Sequence, residues 1–207
     1  MKDYDAIAIN NIKSAPQPPE GYIRLSGPLE HDNIVNGDGL RAVVWTQGCP
    51  NHCKGCQNPE TWSYDNGVLI KIDDICKQLA KFPGQNGLTF CGGEPFVQPK
   101  ACKKIADYVR KELGWNVWSF SGFKYEQIEK AGGEAWEFLK SLDALIDGPF
   151  ILSQKDLSLR FRGSKKPAPT TFRAWHWQNT ERGMIRILYG ERDELLLHEQ
   201  QLQQLPR

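Results

Sequence analysis

The sequence predicts an α/β fold built on a mostly parallel sheet. Short runs rich in β-branched and aromatic residues alternate with amphipathic helical patterns, and Gly, Pro and Asn punctuate the joints. The two most unusual motifs, a cysteine-rich loop and a GGEP turn, each follow directly on a predicted strand, where parallel sheets carry their ligand sites. At 207 residues the chain has room for one substantial domain with a real core and not for two ordinary ones.

Residues 1–20 read as a short N-terminal arm that ends in SAPQPPE, an extended linker because proline fixes φ and removes backbone donors. The folded body is expected over residues 21–166. Within it, LRAVVWT at 40–46 is a buried strand that delivers the cysteine loop. The stretch 70–82 sets Ile72, Ile75, Cys76 and Leu79 at helical spacing, and Pro83-Gly84 stops that helix. GLTFC at 87–91 is the next strand, followed at once by Gly92-Gly93-Glu94-Pro95. Over 99–113, Cys102, Ile105, Ala106, Val109 and Leu113 share one face opposite Lys and Arg, as in a helix lying on a sheet. WNVWSF at 115–120 reads as a strand, 134–142 as a helix, DALID at 143–147 as a strand and 153–166 as a polar loop. Residues 167–207 form a tail of unknown role, with a strand pattern in MIRILYG at 184–190 and a short helix at 191–205.

Charge and hydropathy narrow the function classes. Lys and Arg total 26 against 25 Asp and Glu, so a net charge of +1 gives no global pull toward nucleic acid or an anionic membrane. The N-terminus lacks a signal-peptide core, and no apolar run reaches the roughly 18 residues of a membrane span. The expected location is the cytoplasm, with no nucleic-acid or membrane partner. In that reducing compartment a tight cysteine cluster reads as a metal or redox site and not as a disulfide framework.

The stretch TQGCPNHCKGCQNPETW gathers Cys49, Cys53 and Cys56 in a C-x3-C-x2-C spacing. Three thiolates are soft donors suited to zinc or to an iron–sulfur cluster. Structural zinc normally takes four protein ligands, and no fourth is evident: Cys76, Cys91 and Cys102 each stand alone on an apolar face, and His52 is too close in sequence to Cys53. A four-iron cubane held by three cysteines instead leaves one iron open to a small molecule. Gly48, Pro50 and Gly55 let the loop curve closely around such a cluster and offer backbone N–H groups to sulfur. Gly92 and Gly93 allow close backbone approach to a ligand beside the Glu94 carboxylate.

Cys49-x3-Cys53-x2-Cys56 together with Gly92-Gly93-Glu94-Pro95 resembles the radical S-adenosylmethionine superfamily. Within it the chain is most similar to the activating proteins of anaerobic ribonucleotide reductase. The shared features are Asp32-Asn33-Ile34-Val35-Asn36-Gly37-x-Gly39 with Arg41, Gln47-Gly48-Cys49, Asn58-Pro59-x-Thr61-Trp62, TFCGGEP, WSFSGFKYEQI, DALIDGPF and KDLSLRFRGS. The resemblance implies a radical S-adenosylmethionine domain over residues 21–166, a partial (βα)6-type barrel. It implies that Cys49, Cys53 and Cys56 ligate a 4Fe-4S cluster, that Gly55 and Gln57 flank S-adenosylmethionine, and that Gly92, Gly93 and Glu94 line its methionine end. The implied reaction is one-electron cleavage of S-adenosylmethionine to a 5′-deoxyadenosyl radical, which takes a hydrogen from a glycine Cα of the reductase large subunit. A flavodoxin- or ferredoxin-like protein would supply the electron. Beyond the cluster and the cofactor, no catalytic residue is implied.

Two other readings remain at this point. A 7-carboxy-7-deazaguanine synthase-like enzyme shares the small size and both motifs, but would carry Asp-Thr directly after the third cysteine where this chain has Gln57-Asn58. A non-catalytic metal-binding or electron-transfer module is the alternative outside enzymes. Asp147, at a strand end, is expected either to contact the cofactor or a cation, or to sit in a solvated turn. The long N-terminal arm and the tail after Lys166 depart from the family pattern.

Overall fold

A computed structural model of the chain describes residues 2–159, 161, 163–164, 172–176 and 185–189. In chain order the elements are α1 (Lys2–Ser14), β1 (Tyr22–Leu25), β2 (Glu30–Asn33), β3 (Arg41–Thr46), β4 (Val68–Lys71), α2 (Ile72–Leu79), β5 (Gly87–Gly92), α3 (Pro99–Leu113), β6 (Asn116–Phe120), α4 (Tyr125–Ala131), α5 (Gly133–Lys140), β7 (Ala144–Ile146), β8 (Phe172–His176) and β9 (Ile185–Tyr189). One sheet runs β4-β1-β3-β5-β6-β7-β8-β9, with β2 paired to the start of β3. Its centre, β3-β5-β6-β7, is parallel and connected through helices, as the alternating pattern requires. Antiparallel strands extend both edges. Among the described residues no helix is long and apolar enough to cross a membrane.

Side chains along the parallel strands alternate between two faces with a period of two. Ala42, Val44, Leu88, Phe90, Val117 and Leu145 point to the helices and join Ile75, Leu79, Ile105, Val109 and Phe138 in the main core. The opposite face carries a smaller group, Trp118, Ala144 and Ile146, with Phe120 and Phe161 packed on it. That inner face is where the ligand pocket lies.

Helix α3 has the predicted limits, because Pro99 opens it and Gly114, at φ +69, closes it in the left-handed conformation. Helix α2 starts two residues later than its pattern suggests. Ile70 belongs instead to β4, whose backbone pairs antiparallel with β1 in the register Ile23↔Ile70. The N-terminal arm is a helix on the body, not a free segment. Its Ala8 and Ile12, one helical turn apart, are buried in the core, and the Gln127 amide donates to Asp5 at 2.7 Å. Beyond residue 166, β8 and β9 extend the same sheet from β7, and β9 lies within the strand expected at 184–190. The helix expected at 191–205 lies outside the described residues.

Candidate active site

The two motifs meet because β3 and β5 are parallel neighbours that end level with each other, Thr46 opposite Gly92. Beyond the strand ends the pairing continues: Gly93 N donates to Thr46 O at 2.7 Å, and Glu94 N to Gly48 O at 2.9 Å. A Cβ on Gly93 would stand 2.5 Å from the Gly48 carbonyl, and one on Gly92 would stand 2.7 Å from that of Thr46. These glycines are therefore required first by the approach of the two loops to each other. Ligand access is a secondary consequence.

The cysteine loop is closed by its own backbone. Gly48 N and Cys49 N donate to the carbonyls of Thr61 and Trp62 at 2.8 and 3.1 Å, which returns the chain to its starting point. Gln47, buried beneath, donates to the Glu60 and Ser63 carbonyls at 3.1 and 2.7 Å. His52 holds a positive φ of 43° and stacks on Trp62 with ring centroids 4.8 Å apart. A left-handed residue that is not glycine costs about 1 kcal/mol, so the surrounding loop must enforce it.

Asn58 N donates to Cys56 Sγ at 3.4 Å, and the backbone N–H groups of Asn51 and His52 near Cys49, and of Phe150 near Cys53, favour the charged form of those sulfurs. Such donors stabilise sulfur that carries negative charge and tune bound clusters. Burial works in the opposite direction, pushing the Cys49 thiol up to about 12 and raising that of Cys53. Without a cation the Cys49 and Cys53 sulfurs hold protons; a metal centre displaces them. Among the described residues no three His, Cys, Asp or Glu side chains converge on a single-ion position. A tetrahedral zinc needs sulfurs about 2.3 Å from one point, whereas a cubane carries its own sulfides and reaches thiolates that stand further apart. The donor set fits a cluster.

Cys49, Cys53 and Cys56 line one pocket of about 570 Å³ with Gln57, Gly92, Gly93 and Glu94. This volume is within the usual range for small-molecule sites. Glu94 is fully buried and accepts four hydrogen bonds: Phe96 N at 3.2 Å and Ser121 Oγ at 2.9 Å on one oxygen, Asn51 Nδ2 at 3.2 Å and Gly122 N at 2.7 Å on the other. Burial pushes its carboxyl up to about 7, partly offset by these donors. The carboxylate thus ties the cysteine loop to the ends of β5 and β6 and is poised to ionise beside a cationic ligand.

Three residues are placed differently from the sequence reading. Gly55, at φ +76, does not line the pocket; a Cβ there would meet the Leu152 side chain at 2.9 Å, so Leu152 occupies the space. Asp147 is neither at the pocket wall nor in a solvated turn. It is buried, and Oδ2 accepts from Tyr125 N at 2.8 Å to cap α4. Cys91 is not on the apolar helix-side face with Cys76 and Cys102 but lines the pocket. The period of two contains that signal, because Leu88 and Phe90 face the helices and residue 91 must face the other way. Asn51, Ser121 and Gly122 carry no signal of their own in the sequence; each is an ordinary loop residue until Glu94 needs a donor.

A family model described as a 4Fe-4S single cluster domain matches residues 35–168, which hold all three cysteines and the GGEP turn. The fold and the site thus define an iron–sulfur protein of that class. Over 143 residues the chain is 33% identical to the anaerobic ribonucleoside-triphosphate reductase-activating protein of Haemophilus influenzae, covering 64% of this chain and 88% of that one. It is 32% identical over 145 residues to the protein of the same name from Enterobacteria phage T4, covering 64% and 84%. The crystal structure of QueE from Escherichia coli superimposes with a TM-score of 0.45 at 13% identity, covering 62% of this chain and 71% of that one. The chain belongs to the family of anaerobic ribonucleoside-triphosphate reductase-activating proteins.

Proposed function

We propose that this chain activates anaerobic ribonucleotide reductase by generating a glycyl radical on its large subunit. Cys49, Cys53 and Cys56 hold a 4Fe-4S cluster, and S-adenosylmethionine binds in the adjoining pocket with Gln57, Gly92, Gly93 and Glu94 around it. When bound, the cluster supplies the electron that cleaves S-adenosylmethionine and so starts hydrogen abstraction from the target glycine. The observation that carries this reading is that Cys49, Cys53 and Cys56 line one pocket together with the fully buried Glu94 carboxylate.

The chain's own residues have separable tasks. The N–H groups of Asn51, His52, Phe150 and Asn58 hold negative charge at sulfur. Glu94, fixed by Ser121 and Gly122, receives the ammonium of the cofactor. Gly92 and Gly93 keep the wall thin where the loops cross. Gly55 serves the cofactor indirectly, by letting Leu152 pack behind the cluster loop. A flavodoxin- or ferredoxin-like protein supplies the electron.

Anaerobic reconstitution with iron and sulfide tests the first step: a brown protein that cleaves S-adenosylmethionine under dithionite is expected. A colourless protein carrying one zinc per chain would refute it. Mixing the reduced enzyme with the reductase large subunit should then give a glycyl radical doublet in electron paramagnetic resonance. Full cofactor cleavage with no doublet would remove the reductase as the target.

A further inference from the structure

Helix α1 precedes residues 35–168, the span matched by the family model, yet it packs beside the site. Its Ala8 and Ile12 join Phe96, Val97, Tyr125 and Ile128 in one core cluster, which seats the helix on α4 and on the turn Pro95–Val97. Each of those segments adjoins groups that donate to Glu94: Phe96 N in the turn, Ser121 Oγ and Gly122 N in the loop before α4.

On the turn side, Gln17, just after the helix, donates from Nε2 to the Val97 carbonyl at 2.8 Å and to that of Ala15 at 3.0 Å. On the loop side the link runs through a chain of fixed groups. Ser121 Oγ accepts from Phe123 N at 3.0 Å, which leaves its own proton for Glu94 Oε1 at 2.9 Å. The start of this loop is tied to β7, where Ser121 N donates to the Ile146 carbonyl at 2.9 Å. Its end is tied to α1. Gln127, 2% exposed, accepts from Lys124 N at 2.9 Å on Oε1 and donates from Nε2 to Asp5 Oδ1 at 2.7 Å. A carboxylate only accepts, so Asp5 dictates which way the Gln127 amide faces, and Gln127 in turn holds the loop two residues beyond Gly122.

We infer that α1 braces the site for the cofactor's ammonium, and that Asp5 is a positioning residue acting on Glu94 through Gln127 and the loop 121–124. This rests on the function proposed above. Without Asp5 the buried Gln127 amide has no fixed orientation, and reversing it turns its NH2 group toward Lys124 N, donor against donor. The end of the loop is then released, and with it the two donors that aim the carboxylate. A binding group works at full strength only when its support holds it to within about 0.5 Å of its productive place. Among its described residues α1 buries only Ala8 and Ile12, a small share of the core, whereas Asp5 and the adjoining Gln17 reach one carboxylate's supports from both sides.

The test uses the full reconstituted chain carrying Asp5→Ala, Asp5→Asn, Gln127→Glu, or Asp5→Asn together with Gln127→Glu. Anaerobic equilibrium dialysis reads the Kd for S-adenosylmethionine and for 5′-methylthioadenosine, which keeps the nucleoside and the sulfur but has no ammonium. The Kd for S-adenosylmethionine should rise about fivefold in Asp5→Ala, and about as much in Gln127→Glu, where two carboxylates face each other. That for 5′-methylthioadenosine should stay within about twofold of wild type in both. Asp5→Asn keeps an acceptor oxygen and should bind like wild type. The double variant, in which the new amide donates to the new carboxylate, should recover what Gln127→Glu loses. An unchanged Kd for S-adenosylmethionine in Asp5→Ala would overturn the inference and leave the proposed function in place. Equal losses for both ligands would also overturn it, by making α1 a general support of the fold. If Asp5→Ala does not fold, Gln127→Glu and the double variant decide, and no recovery in the double variant overturns the inference. A wild-type chain that neither binds nor cleaves S-adenosylmethionine refutes the proposed function itself, before any variant is compared.

Discussion

Glu94 and Arg41 are both fully buried charged residues on the same parallel sheet, yet they sit at opposite ends of it and do opposite work. Arg41 opens β3. Its guanidinium donates to four neutral acceptors, Thr89 Oγ1 at 2.6 Å, Leu88 O at 2.7 Å, Asn116 Oδ1 at 2.8 Å and Asp38 O at 3.2 Å, and lies over the Trp118 ring. Burial lowers it to about 10, so it stays charged throughout the physiological range. Glu94, just past the end of β5, is pushed up to about 7, where it can gain or lose a proton. The lower end of the sheet holds a permanent charge as a clamp; the upper end holds a conditional one that waits for a cation.

The sharpest way to separate the ends is at the cysteines. Replacing Cys49, Cys53 or Cys56 by Ala should abolish iron retention and cofactor cleavage, while the metal-free chain keeps its stability to within about 1 kcal/mol, because a small thiol is all that is lost. Iron assay and a urea melt of the same sample read both. A large stability loss in the metal-free variant would show that the rim is also a folding element. Arg41→Met should do the reverse. Removing four donated hydrogen bonds leaves buried acceptors short of a partner, and about 3 kcal/mol of unfolding free energy should disappear in the urea melt. The cluster should still assemble at low temperature. A loss below about 1 kcal/mol would mean that the clamp is dispensable.

How much of this was legible differs between the two ends for a physical reason. Helix α3 and strands β3, β5, β6 and β7 announce themselves through long or strongly apolar patterns, and the cysteine and GGEP motifs through rare composition. Strand β1 and the edge strand β4 are four residues each, and β4 shows mostly exposed side chains, so its identity depends on pairing that local pattern does not encode. Helix α4 has seven residues and is capped by Asp147, 22 positions away in sequence from the Tyr125 amide it accepts. Helix α1 buries only Ala8 and Ile12 among its described residues, with Ile9 partly packed beside them. Arg41 and Gly37 could be noticed in the family motif, but their packing on Trp118 is a tertiary fact.

Glu94→Gln should have an intermediate effect with a distinctive pH dependence. A carboxyl raised in the folded state favours its protonated form, so it costs nothing below its unfolded value near 4.5 and its full penalty only above about 7. The ligand-free wild type should lose up to about 3 kcal/mol between pH 5 and 8 from this group, a slope that Glu94→Gln lacks. Parallel melting curves for the two proteins across that range would contradict the assigned environment. An ammonium in the pocket restores the carboxylate. Affinity for S-adenosylmethionine should therefore rise through pH 7 in the wild type and fall about 10- to 100-fold, with little pH dependence, in the variant.

The smallest effect is expected at Cys91, and it is the most informative about the boundary of the cluster site. Its sulfur lines the pocket with the three loop cysteines, and burial pushes its thiol up to about 12. It differs from them in its support. Cys91 sits within β5, where the register Trp45↔Cys91 fixes its backbone in the ladder, whereas Cys49, Cys53 and Cys56 ride on a loop able to wrap a cluster. A cubane that keeps one iron free for a cofactor has no use for a fourth thiolate. Cys91→Ser should accordingly retain full iron, with a stability change of about 1 kcal/mol or less and cofactor cleavage within about threefold of wild type. Iron lost in step with the loop variants would make Cys91 a ligand and close the open position on which the whole proposed reaction depends.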